Sequence, residues 1–224
     1  MLQLVRTKDN SFTLYNPALN ETYHSRHGAL QESLHVFIKQ GLHHYIEKTN
    51  TKEITILEVG FGTGLNALLT YLEFKKLNIK LNYYSLEPYP IPLEIIDQLE
   101  YPTILSLNKE EQNTFYQMHD GSFFKEANGV SFQFKLLKGS FAETDLETYF
   151  DLIYFDAFAP DKQPDLWTKS VFEKCNEFLK PSGIWVTYCA KGEVKRTLKS
   201  VGFKIETLPG PPGKREMTRA VKTD

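Results

Sequence analysis

Cysteine is nearly missing: Cys175 and Cys189 are the only two in 224 residues. Two cysteines cannot build a disulfide framework, so a reducing compartment, the cytoplasm, is the expectation. No apolar run approaches the roughly 18 residues that mark a membrane span. No long apolar stretch follows the first basic residue, which argues against a secretory leader. A strong excess of one charge is absent too, because 26 Lys and Arg oppose 28 Asp and Glu for a net −2. Repeats and low-complexity tracts are lacking. What remains, 41% apolar and 13% aromatic residues, excludes disorder, a coiled coil and a collagenous chain. At roughly 150 residues per domain, the expectation is one domain over residues 1–224 with a core that needs no staples.

The charge is unevenly placed. From Lys180 onward ten basic residues face four acidic ones, a +6 segment that leaves −8 for the rest. Such a basic surface suits a polyanion, although a solvated helix face gives the same pattern.

Apolar strands alternate with helical periodicities. Ile54 to Gly60, Leu81 to Glu87, Val130 to Leu137, Asp151 to Asp156 and Gly183 to Cys189 read as strands. Gly64 to Leu77, Pro90 to Leu99, Asp165 to Leu179 and Glu193 to Val201 read as helices. That alternation predicts an α/β fold with a largely parallel sheet. Phe203 to Thr207 and Glu216 to Val221 follow each other without a helix, which predicts one antiparallel strand. Residues 1–50 read as a hairpin and helix extension, and 101–129 as a partly helical insertion.

The most informative string is Leu57-Glu-Val-Gly-Phe-Gly-Thr-Gly64. Alternating glycines directly after a strand permit a tight turn and close backbone approach to a ligand. The spacing departs from the dinucleotide fingerprint, and an acid, Glu58, precedes the loop. A carboxylate there suits a cationic ligand better than a pyrophosphate, and S-adenosylmethionine carries an ammonium and a sulfonium. Glu87 ends the second strand, where a carboxylate can accept two ribose hydroxyls. Gly139, Ser140 and Phe141 fall where an adenine would lie, with Phe141 either stacking on it or packing in the core. The expected cofactor contacts are Glu58, Gly60, Gly62, Thr63, Gly64, Asn66, Glu87, Pro88, Gly139, Ser140, Phe141 and Asp156.

Asp156 closes an apolar strand at the ligand-binding edge, flanked by Tyr154, Phe155 and Phe158. A carboxylate among aromatics can orient an amine and accept its proton, a contribution of ~10²–10⁴-fold; a turn-capping Asp is the alternative. No metal set is expected: His24 and His27 lack further ligands, and His43 and His44 read as surface or packing residues. Cys189 reads as a small core residue.

Leu57 to Asn66, Phe155-Asp-Ala-Phe-Ala-Pro-Asp-Lys-Gln-Pro-Asp-Leu-Trp167 and Lys214-Arg-Glu-Met217 together resemble the MnmC/MnmD family of tRNA 5-aminomethyl-2-thiouridine methyltransferases. The resemblance runs from about Tyr23 to Arg219. It implies a seven-stranded methyltransferase sheet, S-adenosyl-L-methionine as cofactor, and methyl transfer to the aminomethyl nitrogen of the tRNA wobble uridine. It implies Asp156 as the catalytic residue, with Tyr23, Gly28, Gln31 and Glu32 closing over the cofactor. Lys191, Lys195, Arg196, Lys214 and Arg215 would contact tRNA phosphates. Tyr154, Phe158, Trp167 and Tyr188 would line the base pocket or pack in the core. The chain ends before the oxidase domain of some family members, so a stand-alone methyltransferase is expected, supplied by other enzymes with its aminomethyl substrate. An aminopropyl transferase and a non-catalytic RNA-binding module are the competing readings.

Overall fold

The computed structural model describes residues 1–127 and 129–223. Asn128, within the expected insertion, and Asp224, counted in the basic segment, lie outside the described residues. The chain opens with β1 (Gln3–Arg6), β2 (Phe12–Asn16) and β3 (Glu21–Thr22). A continuous helical stretch follows: α1 (Ala29–Ser33), a π-helical middle (Leu34–His43) and α2 (His44–Thr49). Then come β4 (Glu53–Val59), α3 (Leu65–Phe74), β5 (Lys80–Leu86), α4 (Leu93–Ile96), α5 (Tyr101–Ile104) and α6 (Lys109–Asp120). The last part holds β6 (Phe123–Ala127), β7 (Val130–Leu137), β8 (Phe150–Phe155), α7 (Lys169–Phe178), β9 (Leu179–Thr187), α8 (Gly192–Ser200), β10 (Phe203–Pro209) and β11 (Glu216–Lys222).

β1, β2 and β3 form a small antiparallel meander, one strand more than the expected hairpin. The other strands make one sheet of order β10-β11-β9-β8-β4-β5-β7-β6. β4 pairs in parallel with both β5 and β8, so the strand order reverses on either side of it. Ligands bind at such a switch point, beyond the carboxyl ends of the strands. β11 runs antiparallel between β9 and β10, as the missing helix between the last two strands predicted.

The sheet has eight strands where seven were expected. The extra one is β6, which folds back on β7 as an antiparallel edge. Apolar packing explains it: the Phe123 ring stacks on Phe132 and Phe134 at 5.9 and 5.3 Å. The expected insertion is therefore partly helical (α5 and α6) and partly sheet, with α6 started by an Asn108–Glu111 capping box. β9 also begins earlier than predicted, at Leu179. Pro181 to Gly183 do not break it but sit in an irregular stretch where Ser182 takes φ 60°.

Each sheet face has its own core. Ile54, Ile56, Tyr83, Leu152, Tyr154 and Val186 pack under the helical stretch 29–49 and α3. Leu57, Val59, Ile153, Phe155 and Trp185 pack under α7 and α8. Gly41 lets the first helix close on the sheet, since a Cβ there would lie 3.1 Å from Tyr154.

Candidate active site

A cavity of about 490 Å³ opens at the carboxyl ends of β4, β5 and β8. Its size falls within the range of small-molecule sites. The loop Gly60 to Thr63 forms one wall, Glu87 to Tyr89 and Gly139 to Ala142 a second, and Asp156 to Phe158 with Tyr188 a third. Asn16, Leu19, Tyr23 and His24 from the N-terminal meander cover the loop.

Glycine is required in the first wall. Gly60 has φ 96°, and a Cβ there would stand 2.7 Å from the carbonyl oxygen of Asp156. The loop thus lies directly against the backbone that carries the catalytic candidate. Glu87 holds the same loop: Oε2 accepts from Gly62 N and Oε1 from Tyr89 N, both at 2.9 Å. A carboxylate has about four acceptor positions, so Glu87 keeps capacity for hydroxyl donors in the cavity. Phe141 is buried and lines the cavity, with its ring edge-on to Phe178.

Asp156 is partly buried in the cavity wall. Asn66 Nδ2 donates to its Oδ2 at 2.8 Å. Burial and the nearby charge of Glu32 push its carboxyl up to about 7, against the hydrogen bond from Asn66 and the charge of Lys214. It therefore titrates where a proton acceptor works best near neutral pH. Tyr188 donates its hydroxyl to Ala157 O at 2.8 Å. The Tyr23 ring meets Phe158 edge-on at 4.9 Å, closing one end of the cavity. Burial, with the charge of Glu87, pushes the Tyr23 hydroxyl up to about 12, so Tyr23 stays neutral.

Of the residues expected from sequence, Tyr23, Gly60, Gly62, Thr63, Glu87, Pro88, Gly139, Ser140, Phe141, Asp156, Phe158 and Tyr188 meet at this cavity. Several do not. Glu58 is fully buried beneath the loop, on the sheet face rather than in the cavity. Asn66 lies behind Asp156 and reaches the cavity only through it. Gly64 faces away, with His119 and Phe61 where a side chain would stand. Gln31 is exposed at the start of α1, its backbone N bonded to Asp9. Trp167 is buried behind the aromatic loop, its Nε1 donating to Phe158 O at 2.7 Å, so it props the loop instead of lining a base pocket. Tyr154 is a core residue of β8.

The basic residues divide similarly. Arg196 and Arg215 are exposed. Lys191 pairs with Asp161 at 2.8 Å, and Lys195 with Glu216 at 3.0 Å. Lys214 turns inward, pairing with buried Glu32 at 2.7 Å and lying 3.8 Å over the Tyr188 ring.

Sequence reasoning missed His24, whose Nε2 lies 2.8 Å from Thr63 Oγ1. Burial pushes His24 down to about 4, so it is neutral and serves as a strut between meander and loop. Tyr89 was also missed, an exposed ring at the cavity rim. Among the described residues, no group of three or more His, Cys, Asp or Glu side chains can hold a metal ion. None of the described helices is long and apolar enough to cross a membrane.

A family model described as S-adenosyl-L-methionine-dependent methyltransferase matches residues 110–223. The tRNA 5-methylaminomethyl-2-thiouridine biosynthesis bifunctional protein MnmC of Leptospira interrogans is 33% identical over 220 residues, covering 94% of this chain and 34% of that protein. MnmC of Pseudomonas fluorescens is 30% identical over 209 residues, covering 89% and 32%. The chain spans about a third of the length of these curated relatives. The crystal structure of MNMC2 from Aquifex aeolicus superposes with a TM-score of 0.77 at 26% identity, over 98% of this chain and 70% of that one. DesVI of Streptomyces venezuelae, at 13% identity and a TM-score of 0.50, shares the fold over 87% of this chain and 92% of its own.

Proposed function

The chain belongs to the S-adenosyl-L-methionine-dependent methyltransferases, and from that premise we propose that it methylates the aminomethyl nitrogen of 5-aminomethyl-2-thiouridine at the tRNA wobble position. The observation that carries this reading is Asp156, a carboxyl held by Asn66 at 2.8 Å, raised to about 7, in the wall of a cavity that Phe158 and Tyr188 also line. The similarity to MnmC proteins over nearly the whole chain supports the substrate.

The donor chemistry of the cavity fits the cofactor. The glycine loop brings backbone close, Glu87 offers acceptors to a ribose, and the wall of Gly139 to Phe141 offers an apolar face to an adenine. When bound, S-adenosyl-L-methionine supplies a methyl group activated by its sulfonium. The protein's part is to present a neutral amine to that methyl group. Asp156 accepts a hydrogen bond from the amine and takes the proton that nitrogen loses as the N–C bond forms, then releases it to solvent. Asn66 fixes Oδ2 of Asp156, which leaves Oδ1 for the amine. Phe158 and Tyr188 hold the planar uracil, and alignment supplies a large part of the rate. A base modified in this way has to be unstacked from its neighbours. The exposed Arg196 and Arg215 lie on the basic segment that would track the tRNA backbone. The primary amine of the substrate has to be made by an earlier reaction on the same uridine.

The test is methylation of bulk tRNA from cells lacking this modification, read by mass analysis of the wobble nucleoside. Wild-type protein is expected to convert the aminomethyl to the methylaminomethyl nucleoside. Asp156→Ala is expected to bind cofactor and tRNA yet lose at least ~10²-fold in turnover. Unchanged turnover would remove Asp156 from the mechanism, and no conversion by wild type would remove the substrate assignment.

A further inference from the structure

Glu58 stands two residues before the glycine loop but does not reach the cavity that loop builds. Strand alternation puts it on the face of β4 covered by the helical stretch 29–49 and α3, beside Ser85 of β5 and Tyr154 of β8. Its exposure is 0%. Ser85 Oγ donates to Oε2 at 2.6 Å, while Oε1 is buried with no partner. Among the described residues no Lys, Arg or His pairs with it; the groups around it are Ser85, Tyr83, Asn66 and the carboxyl of Asp156. Asn66 lies beside Glu58 as well as Asp156, and its Nδ2 donates to Asp156 Oδ2 at 2.8 Å. Asn66 Oδ1 is likewise buried without a partner.

A carboxylate sealed from water with no counter-ion is strongly disfavoured, and such a group neutralises instead. As a carboxylic acid, Glu58 carries a proton to donate into a cluster holding orphaned acceptors. Burial pushes it up to about 8, helped by the charge of Asp156 and opposed by the hydrogen bond from Ser85.

We propose that Glu58 is a positioning residue for Asp156, a neutral acid that anchors the Asn66 amide and through it fixes the carboxylate facing the reacting amine. It is not an ionised ligand of the cofactor. The inference rests on the reading of Asp156 as the proton acceptor. Its consequence is that Glu58 adds no charge beneath the cavity, so Asp156 meets an incoming amine without a second carboxylate competing for its proton.

Two variants and one spectrum decide it. Glu58→Gln keeps the shape, one donor and one acceptor without the charge; Glu58→Leu removes both. For Glu58→Gln, calorimetric cofactor affinity and single-turnover methylation should each stay within about threefold of wild type. For Glu58→Leu, cofactor affinity should hold while kcat falls at least about 10-fold, with KM for tRNA unmoved. Asn66→Ala should reproduce that loss, which covers a Glu58→Leu protein that fails to fold. A weakening of cofactor binding by more than about 10-fold in Glu58→Gln would mean that the charge is used, and would overturn the proposal. So would wild-type kcat in both Glu58→Leu and Asn66→Ala. In protein labelled at the glutamate carboxyl carbon, one resonance should remain in the protonated range at about pH 7 and vanish in Glu58→Gln. Every glutamate titrating near the ordinary value would also overturn it. The spectrum and the calorimetry need no tRNA, so a wild-type protein that fails to methylate tRNA sinks the substrate reading while these two still decide the state of Glu58.

Discussion

Lys214 and Glu32 form an ion pair of 2.7 Å whose two members push Asp156 in opposite directions. Glu32 raises the Asp156 carboxyl and Lys214 lowers it. The pair joins the helix 29–49 to the loop between β10 and β11, residues 182 positions apart in sequence. Removing one member at a time should therefore tune the proton acceptor without touching it.

For a base that works as the carboxylate, activity is lost as pH falls through its pKa, here about 7. Lys214→Met removes the opposing cation, so the acid limb of the pH–rate profile should move to higher pH, with a several-fold loss of rate at neutral pH. Glu32→Gln should move the same limb to lower pH. Profiles of kcat for the two variants are the check. A shift of both limbs in the same direction would mean that the pair acts through packing and not through its field.

The second prediction concerns Gly64, which holds φ 74° with His119 Nε2 2.9 Å from where a Cβ would stand. His119 is buried, with its ring edge-on to both Phe61 and Phe115. Gly64→Ala should cost about 1–3 kcal/mol of stability from backbone strain alone, and more from the contact. Combining it with His119→Ala should relieve only the His119 part of the contact, since Phe61 Cζ also stands 2.9 Å from that Cβ. The cycle should yield a coupling of about 0.5–3 kcal/mol in urea unfolding. Full additivity would mean that the two residues do not meet.

The third separates neighbours. Arg215 is exposed, whereas Lys214 is held internally by Glu32 and the Tyr188 ring. Arg215→Ala should lower the salt slope of tRNA binding by about one, and Lys214→Met should leave that slope unchanged. Binding measured over a range of salt concentrations decides between them.

How far the sequence was legible depends on the kind of signal. The glycine loop could be read because Gly60 and Gly64 adopt backbone angles that other residues resist. Asp156 could be read because a continuous apolar strand ends on it. Glu58 was misplaced although its position carried the information: it shares a strand face with Ile54 and Ile56, both wholly buried. Proximity in sequence to a ligand loop outweighed strand alternation there. For Trp167 the sequence left base pocket and core both open; the residue is buried, and its indole N–H satisfies the Phe158 carbonyl from behind. His24 had no local signal, because its partner Thr63 lies 39 residues away. The edge strand β6 was hidden because Phe123 to Ala127 form a strand only by pairing with β7.

The Lys214–Glu32 contact also bears on the order in which the protein is made. The strands that carry the glycine loop and Asp156 are complete by residue 156, and Tyr188 follows soon after. Yet the face of Tyr188 is covered, and the Asp156 field balanced, only by a side chain at position 214. A nascent chain leaving the ribosome from its N-terminus thus carries the cofactor loop long before the proton acceptor is tuned. Finishing the site waits for residue 214, well after the strands that carry the cofactor loop.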